Sequence, residues 1–267
     1  MTTTESPLAA TAAPAPLPVT SAQPPRVWKF WATLAWSILL YGVMTISAAV
    51  GIVGAIYWYG IDVSAGAEHR FALVNDGVIV AATSVSATLP VLLVSWLALK
   101  LARQNFADYL ALRLPSARHL GIGLGAILVV MALIDSINVL IGRPIVPDVL
   151  IANIATARAH GAFGFFALVL VVTAPITEEI CFRGFIYRGF AASRLGTVGA
   201  VILSSLIFAG IHIQYDLITL AGVLATALLL GTMRAISGST LLTIAMHALN
   251  NAVALVEMLW FAGMLSR

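Results

Sequence analysis

A short charged group interrupts a strongly apolar stretch in the C-terminal half of the chain. It contains Glu178, Glu179 and Arg183. At the centre of a membrane-spanning helix each charge costs roughly 2.5–3.5 kcal/mol, so the three must face a polar cavity and one another. Residues four apart share a helix face, and the acid-before-base order favours an ion pair between Glu179 and Arg183. Glu178 points about 100° away. It is therefore the carboxylate without a local partner, available for acid–base chemistry.

Two histidines and an amide extend this group. His212 and His247 lie in apolar segments predicted to be helical, and Asn251 shares the helix face of His247. In an antiparallel hairpin with its turn near Arg194–Gly196, Glu178 and His212 each lie roughly 25 Å from the turn and come level. Each histidine alone is equally well explained by hydrogen bonding between helices. Their joint spacing predicts one cavity holding a carboxylate, two imidazoles and a carboxamide.

Composition shows what surrounds these residues. Of 267 residues, 61% are hydrophobic and only 9% are charged, against roughly a quarter charged in soluble domains. The mean hydropathy of +1.01 agrees, so the chain is predicted to lie mostly in a lipid bilayer. The net charge of only +3, with no dense basic patch, argues against nucleic-acid binding. The single cysteine, Cys181, excludes an intramolecular disulfide.

The apolar runs predict an all-α, polytopic membrane bundle. Segments crossing hydrocarbon must pair their backbone groups internally, so they are expected to be helices. The fourth run is expected to continue as a helix to about Phe190, because nothing breaks it before Gly196. We predict seven spans, near Trp31–Trp58, Val78–Leu99, Leu120–Ile141, Ala162–Ile176, Val198–Ile213, Leu217–Met233 and Leu241–Leu265.

Residues 1–26 differ from the rest. They are rich in proline and alanine and lack the basic start and apolar centre of a signal peptide. Such a segment buries too little apolar surface to fold, so a disordered cytoplasmic tail is predicted. Residues 27–267 would form the membrane domain, with 27–160 as accessory helices and 161–256 as the core that carries the chemistry.

The basic residues predict an N-in, C-out orientation under the positive-inside rule. With the N-terminus cytoplasmic, ten basic residues lie inside: Arg26, Lys29, Lys100, Arg103, Arg113, Arg118, Arg183, Arg188, Arg194 and Arg234. Four lie outside: Arg70, Arg143, Arg158 and Arg267. The stretch Arg103–Arg118 is predicted to be an amphipathic segment at the cytoplasmic interface. Asp135 and Glu257 also fall within predicted spans, and the sequence assigns them no role.

Three short motifs carry a family resemblance. E-E-I-C-F-R (178–183) matches EExxxR, F-A-G-I-H (208–212) matches FxxxH, and H-A-L-N-N (247–251) matches HxxxN. In this order, on three of the last four predicted spans, they resemble the CPBP family of intramembrane proteases. This family, also called Abi and described as a metalloprotease family, is related to the type II CAAX prenyl endopeptidases. The similarity runs from Phe163 to Val256.

The resemblance implies roles for the motif residues. Glu178 and His212 would activate a water for attack on a peptide carbonyl, and His247 and Asn251 would hold the developing oxyanion. Glu179 and Arg183 would order the site. The active site would open toward the cytoplasm, in the cell membrane. The excess of arginine over lysine and the bias toward alanine favour a bacterial source.

Metal dependence and function class stay open at this stage. Two histidines and a carboxylate could hold Zn²⁺, with Glu178, His212 and His247 as the ligands, but a site without an obligatory metal is favoured. The expected substrate is a peptide or membrane protein, whether or not prenylated. The alternatives are a proton-coupled transporter, since carriers also use intramembrane carboxylates and histidines, and a catalytically silent membrane scaffold or immunity protein. Oligomeric state is not readable from the sequence.

Overall fold

The computed structural model describes residues 26–61 and 75–264. Within these residues all regular secondary structure is helical. The predicted tail, except Arg26, lies outside the described residues, as do Arg70 and Arg267. The helices are α1 (Phe30–Tyr59), α2 (Gly77–Leu101), α3 (Phe106–Tyr109), α4 (Ala117–Leu140), α5 (Asp148–Ala159), α6 (Phe163–Ala191), α7 (Gly196–Gly210), α8 (Leu217–Ser237) and α9 (Thr240–Phe261).

Six of these helices are long and apolar enough to cross a membrane: α1, α2, α4, α6, α8 and α9. The predicted all-α membrane bundle is confirmed. The predicted count of seven spans is not, because the fifth segment, Val198–Ile213, forms the 15-residue α7. At 1.5 Å per residue this helix is roughly 22 Å long, shorter than a hydrocarbon core of about 30 Å.

The outward-facing surface of the bundle is apolar. Large hydrophobic side chains are exposed along the helices, where water would penalise them and lipid would not. Tryptophan and tyrosine cluster near the ends of α1, as expected for residues at a membrane interface. Examples of exposed side chains are Trp31, Leu39, Val53, Tyr57, Trp58, Leu89, Val129 and Leu133.

Polar residues set where several helices begin. The carboxylate of Asp76 accepts the N–H groups of Val78 and Ile79 at the start of α2. Ser116 caps α4 and Ser239 caps α9 in the same way, since the first N–H groups of a helix have no partner within it. These caps fix the lengths of the spans.

Helix α6 is the most buried of the six long helices and carries the first motif. It runs to Ala191, so the predicted continuation to about Phe190 is confirmed. Two of its stretches, Val169–Thr173 and Ile180–Ile186, are π-helical. Pro175 follows the first stretch; proline removes one backbone hydrogen bond and crowds the preceding turn. Wide turns of this kind are frequent at functional sites.

The segment Arg103–Arg118, predicted to be amphipathic and to lie at the interface, is mostly non-helical. Only Phe106–Tyr109 is helical before α4, and the chain then turns inward. Leu110 is fully buried, and its carbonyl accepts the hydroxyl of Thr240 at 2.6 Å. The next carbonyl, of Ala111, accepts the backbone N–H of Thr240 at 3.0 Å. The segment is held by these bonds to the start of α9, and its location at the membrane interface stays a prediction.

Helix α5 (Asp148–Ala159) was not predicted. Its 12 residues are too few and too polar for a span, and they pack against the start of α2. The backbone N–H of Gly77 donates to the hydroxyl of Thr156 at 2.9 Å. A side chain at residue 77 would overlap the carbonyl of Asn153, so this close approach requires glycine.

A second close approach joins α1 to α6, and it yields a stability prediction. A Cβ atom on Gly189 would collide with the side chain of Thr33. We expect Gly189→Ala to lower the free energy of unfolding by about 1–3 kcal/mol, the usual cost of overpacking. Thermal unfolding in detergent is the measurement. Gly164→Ala, in the same helix but facing open space, is the control and should not be destabilised; equal stability of both variants would contradict this packing.

Candidate active site

A cavity of about 350 Å³ lies among the helices that carry the three motifs. Glu178, His212, His247 and Asn251 all line it. The structure thus brings together the four residues that the sequence placed at one site. The other two predicted residues, Glu179 and Arg183, are fully buried behind the cavity wall.

Glu179 and Arg183 form an ion pair within α6. The Nη1 atom of Arg183 donates to Oε1 of Glu179 at 2.8 Å, and neither side chain is exposed. The Nη2 atom donates to the carbonyl of Ala227 in α8 at 3.0 Å, and the guanidinium lies 4.6 Å from the ring centre of Phe208 in α7. Arg183 therefore links α6 to the two helices that follow it.

His247 lies between the two glutamates. Its Nδ1 atom is 3.0 Å from Oε1 of Glu179, and its Nε2 atom is 3.9 Å from Oε2 of Glu178. An ionised carboxylate only accepts hydrogen bonds, so the Nδ1 atom must carry a proton. Glu179 thereby fixes the orientation of the ring, and Nε2 is turned toward Glu178 and the cavity.

His212 does not lie inside a helix, as the sequence suggested, but two residues beyond the end of α7. Its backbone N–H donates to Ala209, three residues back, at 2.9 Å. Its ring Nδ1 atom instead lies 2.8 Å from the carbonyl of Phe208. In a continuing helix the carbonyl of Phe208 would accept the backbone N–H of His212. Here it accepts the ring Nδ1–H instead, and α7 ends there. Because a carbonyl only accepts, Nδ1 carries the proton and the Nε2 lone pair is left free.

Glu178 is positioned differently from its neighbour. Its side chain is 22% exposed and faces the cavity. Within the described part of the chain it makes no hydrogen bond, and the Nε2 atom of His247 lies 3.9 Å from its carboxylate. The two adjacent glutamates thus separate into a buried, paired carboxylate and a cavity-facing, unpaired one, because successive residues of a helix point about 100° apart.

Asn251 joins α9 to the first π-helical stretch of α6. Its Nδ2 atom donates to the carbonyl of Leu170 at 2.8 Å. Its Oδ1 atom accepts from Nδ2 of Asn250 at 3.1 Å. One N–H of the amide stays free for a ligand in the cavity.

Further polar residues line the cavity, among them Asp135, Gln214, Tyr215 and Glu257. Asp135 and Glu257 stand out in the sequence as charges within apolar spans, whereas Gln214 and Tyr215 lie in a short loop that carries no motif. Desolvation raises the pKa of Tyr215, so its hydroxyl stays protonated and able to donate. The ring of Tyr215 stacks on His212 with 6.2 Å between centroids.

The loop that carries His212 is anchored at its far end. Asp216 caps α8 by accepting from Ile218 and Thr219, and it forms an ion pair with Arg143 at 2.6 Å. These bonds, chiefly those from Thr219, lower the pKa of Asp216 to about 2. The anchor therefore stays charged throughout the physiological pH range.

The arrangement of the three predicted zinc ligands fits a metal site only in part. Both histidines have the Nδ1–H bond to an acceptor that metal-binding histidines usually show. Across residues 26–61 and 75–264, however, no three His, Cys, Asp or Glu side chains are grouped closely enough to hold a metal ion. Glu178, His212 and His247 share a cavity but do not form a metal site in this arrangement.

Comparison with known proteins shows which family this part of the chain is similar to. Residues 160–253 match the family model for the Rce1-like type II CAAX prenyl endopeptidases. The matched segment is about a third of the chain and contains all three motifs. The predicted resemblance is confirmed over this segment. Neither the curated proteins nor the solved structures gave a match to this chain.

The Rce1-like domain and the six long apolar helices support one general conclusion. The chain has the helices of a multi-pass membrane protein and a segment similar to the CAAX-type endopeptidases. The match does not assign roles to single residues.

The buried ion pair yields a prediction that does not depend on activity. Glu179→Gln keeps the shape of the side chain but leaves the Arg183 charge buried and unpaired, which typically costs about 3–5 kcal/mol. Unfolding by denaturant in micelles measures the loss. Adding Arg183→Met to Glu179→Gln should restore much of the stability, since both charges are then gone. A double variant less stable than Glu179→Gln alone would show that the pair is not the dominant contact.

Proposed function

We propose that this protein is an intramembrane endopeptidase that hydrolyses a peptide bond by direct attack of water. The observation that carries the proposal is the meeting of Glu178, His212 and His247 on one cavity among membrane-spanning helices. These side chains supply a proton acceptor, a second basic atom and a donor. Such groups are effective in a site that excludes bulk water.

Glu178 and the Nε2 atom of His212 are proposed to activate the water. Both are acceptors that face the cavity, and no described residue occupies either one with a hydrogen bond. The carboxylate takes the proton as the water oxygen bonds to the peptide carbon. The carboxylic acid formed then returns this proton to the leaving nitrogen as the C–N bond breaks. His212 orients the water by accepting its second hydrogen.

His247 and Asn251 are proposed to stabilise the negative charge that develops on the peptide oxygen. With Nδ1–H bound to Glu179, a neutral His247 has no proton on Nε2. It can donate to an oxyanion only as an imidazolium, with both ring nitrogens protonated. Asn251 would add its free N–H. Preorganised donors of this kind usually give the largest single contribution to catalysis.

Glu179 and Arg183 are proposed to position these groups without touching the substrate. Glu179 orients the ring of His247, and Arg183 neutralises Glu179. The domain division of the chain, with accessory helices at 27–160 and the protease core at 161–256, belongs to the same proposal. So do the N-in, C-out orientation, a bacterial cell membrane, and a cavity that opens toward the cytoplasm.

A proton-coupled transporter is the second candidate. Asp135 and Glu257 line the same cavity. Carboxyl groups inside membranes are typical of proton relays. In a transporter this pair would be essential and no peptide would be cut. In a catalytically silent scaffold, neither Glu178 and His212 nor Asp135 and Glu257 would take part in a reaction.

Substitution of Glu178 separates these functions. We expect Glu178→Gln to reduce cleavage by about 10²-fold or more, the usual contribution of a general base. Quantitative proteomics of membranes from cells with the intact chain and the variant should show an uncut substrate accumulating in the variant. Glu257→Gln makes the same chemical change on the same cavity and should leave cleavage nearly unchanged. Accumulation in neither variant would rule out the protease; loss of proton-coupled uptake in Glu257→Gln would favour the transporter.

Metal removal is the second test. We expect the purified protein to keep most of its cleavage activity after treatment with a strong chelator, because Glu178 acts as the base rather than as a ligand. Elemental analysis should be run on the same sample. One zinc ion per chain, together with cleavage that stops on chelation and returns with zinc, would overturn this expectation.

A further inference from the structure

A second cleft, of about 380 Å³, lies at one end of the bundle. Its walls come from the end of α6, the first turn of α7, the end of α8 and the segment that follows α3. Three arginines line it: Arg113, Arg188 and Arg234. Asp108 is the one acidic residue among those that line it, so the cleft carries a net positive charge.

Arg234 is the central residue of this cleft. It is only 5% exposed, and its Nε atom donates to the carbonyl of Arg183 and to the hydroxyl of Thr240. Its guanidinium carbon lies 5.2 Å from the ring centre of Tyr187. No described residue accepts a hydrogen bond from its two Nη atoms. A buried guanidinium therefore points two unused donors into the cleft.

Three further features make the cleft attractive to an anion. The exposed Arg113 and Arg188 are close enough to repel the charge of Arg234. Like charges held together cost free energy unless an anion joins them. Helix α7 begins beside them, Thr197 in its first turn lines the cleft, and no side chain caps its N-terminus. The free N–H groups of a helix N-terminus also favour a negative group.

We propose that this cleft binds a phosphate group. In a membrane, the headgroup of an anionic phospholipid supplies it. The walls are helix ends, so the cleft lies where the bundle meets the headgroup region. Basic pockets between membrane helices commonly bind such headgroups. Arginine suits phosphate because its planar fork can donate two parallel hydrogen bonds.

Arginines near helix C-termini also have a simpler explanation. Arg188 and Arg234 lie in the last turns of their helices, where a positive charge complements the helix dipole. The helix dipole thus accounts for Arg188 at the end of α6 and Arg234 at the end of α8. It does not account for Arg113, which lies outside any helix, or for two unbonded Nη atoms on a buried side chain. Both features are explained by an anion in the cleft.

Native mass spectrometry of the full chain in detergent tests the proposal. The intact protein should retain phosphatidylglycerol in preference to phosphatidylcholine. The double variant Arg113→Gln/Arg188→Gln should bind phosphatidylglycerol about 30-fold more weakly, roughly fivefold for each arginine. Arg118→Gln removes an exposed arginine that does not line the cleft, and it should bind like the intact protein. Arg234 is left unchanged because its Nε atom holds the fold.

The outcomes distinguish the source of the phosphate. Retention of the lipid that millimolar inorganic phosphate cannot displace supports a headgroup site. Displacement by phosphate, with the same loss in the double variant, supports a site for a soluble phosphate compound. Equal retention of both lipids, or equal binding by the double variant and Arg118→Gln, would overturn the proposal.

A charge-conserving variant guards against misfolding. Arg113→Lys/Arg188→Lys should bind within about threefold of the intact protein, since most of the attraction is from charge. A loss as large as that of the glutamine variant, at an unchanged unfolding temperature, would also count against the proposal. Peptide cleavage is not measured in any of these tests, so their result is independent of the proposed protease activity.

Discussion

The buried pair of Glu179 and Arg183 is the contact on which the rest of the site depends. An unpaired charge in an apolar interior costs several kcal/mol, so both groups must be held within hydrogen-bonding distance. Each group then has capacity left over, and neighbouring helices use it. Arg183 binds a carbonyl of α8 and packs on Phe208 of α7, while Glu179 binds His247 of α9. One ion pair in α6 thereby contacts each of the three helices that follow it.

The same helix also explains how two adjacent glutamates differ. A rotation of about 100° per residue turns Glu179 toward the interior and Glu178 toward the cavity. The π-helical stretches on either side widen α6 locally, and Asn251 of α9 binds a carbonyl in the first of them. The backbone of α6 is therefore fixed from both ends of the motif. The carboxylate of Glu178 has no hydrogen-bond partner among the described residues. Its position is set by its neighbours in α6, which other helices hold in place.

The sequence predicted the features that follow from hydropathy and helix spacing. Long apolar runs predicted the six long helices, and hairpin arithmetic predicted that Glu178 and His212 share a cavity. Features held by one particular partner could not be predicted. His212 ends α7 through a bond from its ring to Phe208, and Leu110 is buried through its bond to Thr240. Hydropathy does not register either bond. Helix α5 was missed because its 12 residues are too few for a span and include Asp148, Asn153 and Arg158.

The two histidines of the cavity show how an acceptor determines what an imidazole can do. A backbone carbonyl accepts from Nδ1–H of His212, which fixes the tautomer and leaves the Nε2 atom able to accept. A carboxylate holds Nδ1–H of His247, and a second carboxylate lies near its Nε2 atom. When this ring also carries a proton on Nε2, both of its nitrogens donate. Water activation and oxyanion stabilisation need opposite behaviour from the same kind of side chain. The proposed roles assign acceptance to the Nε2 atom of His212 and donation to the Nε2 atom of His247.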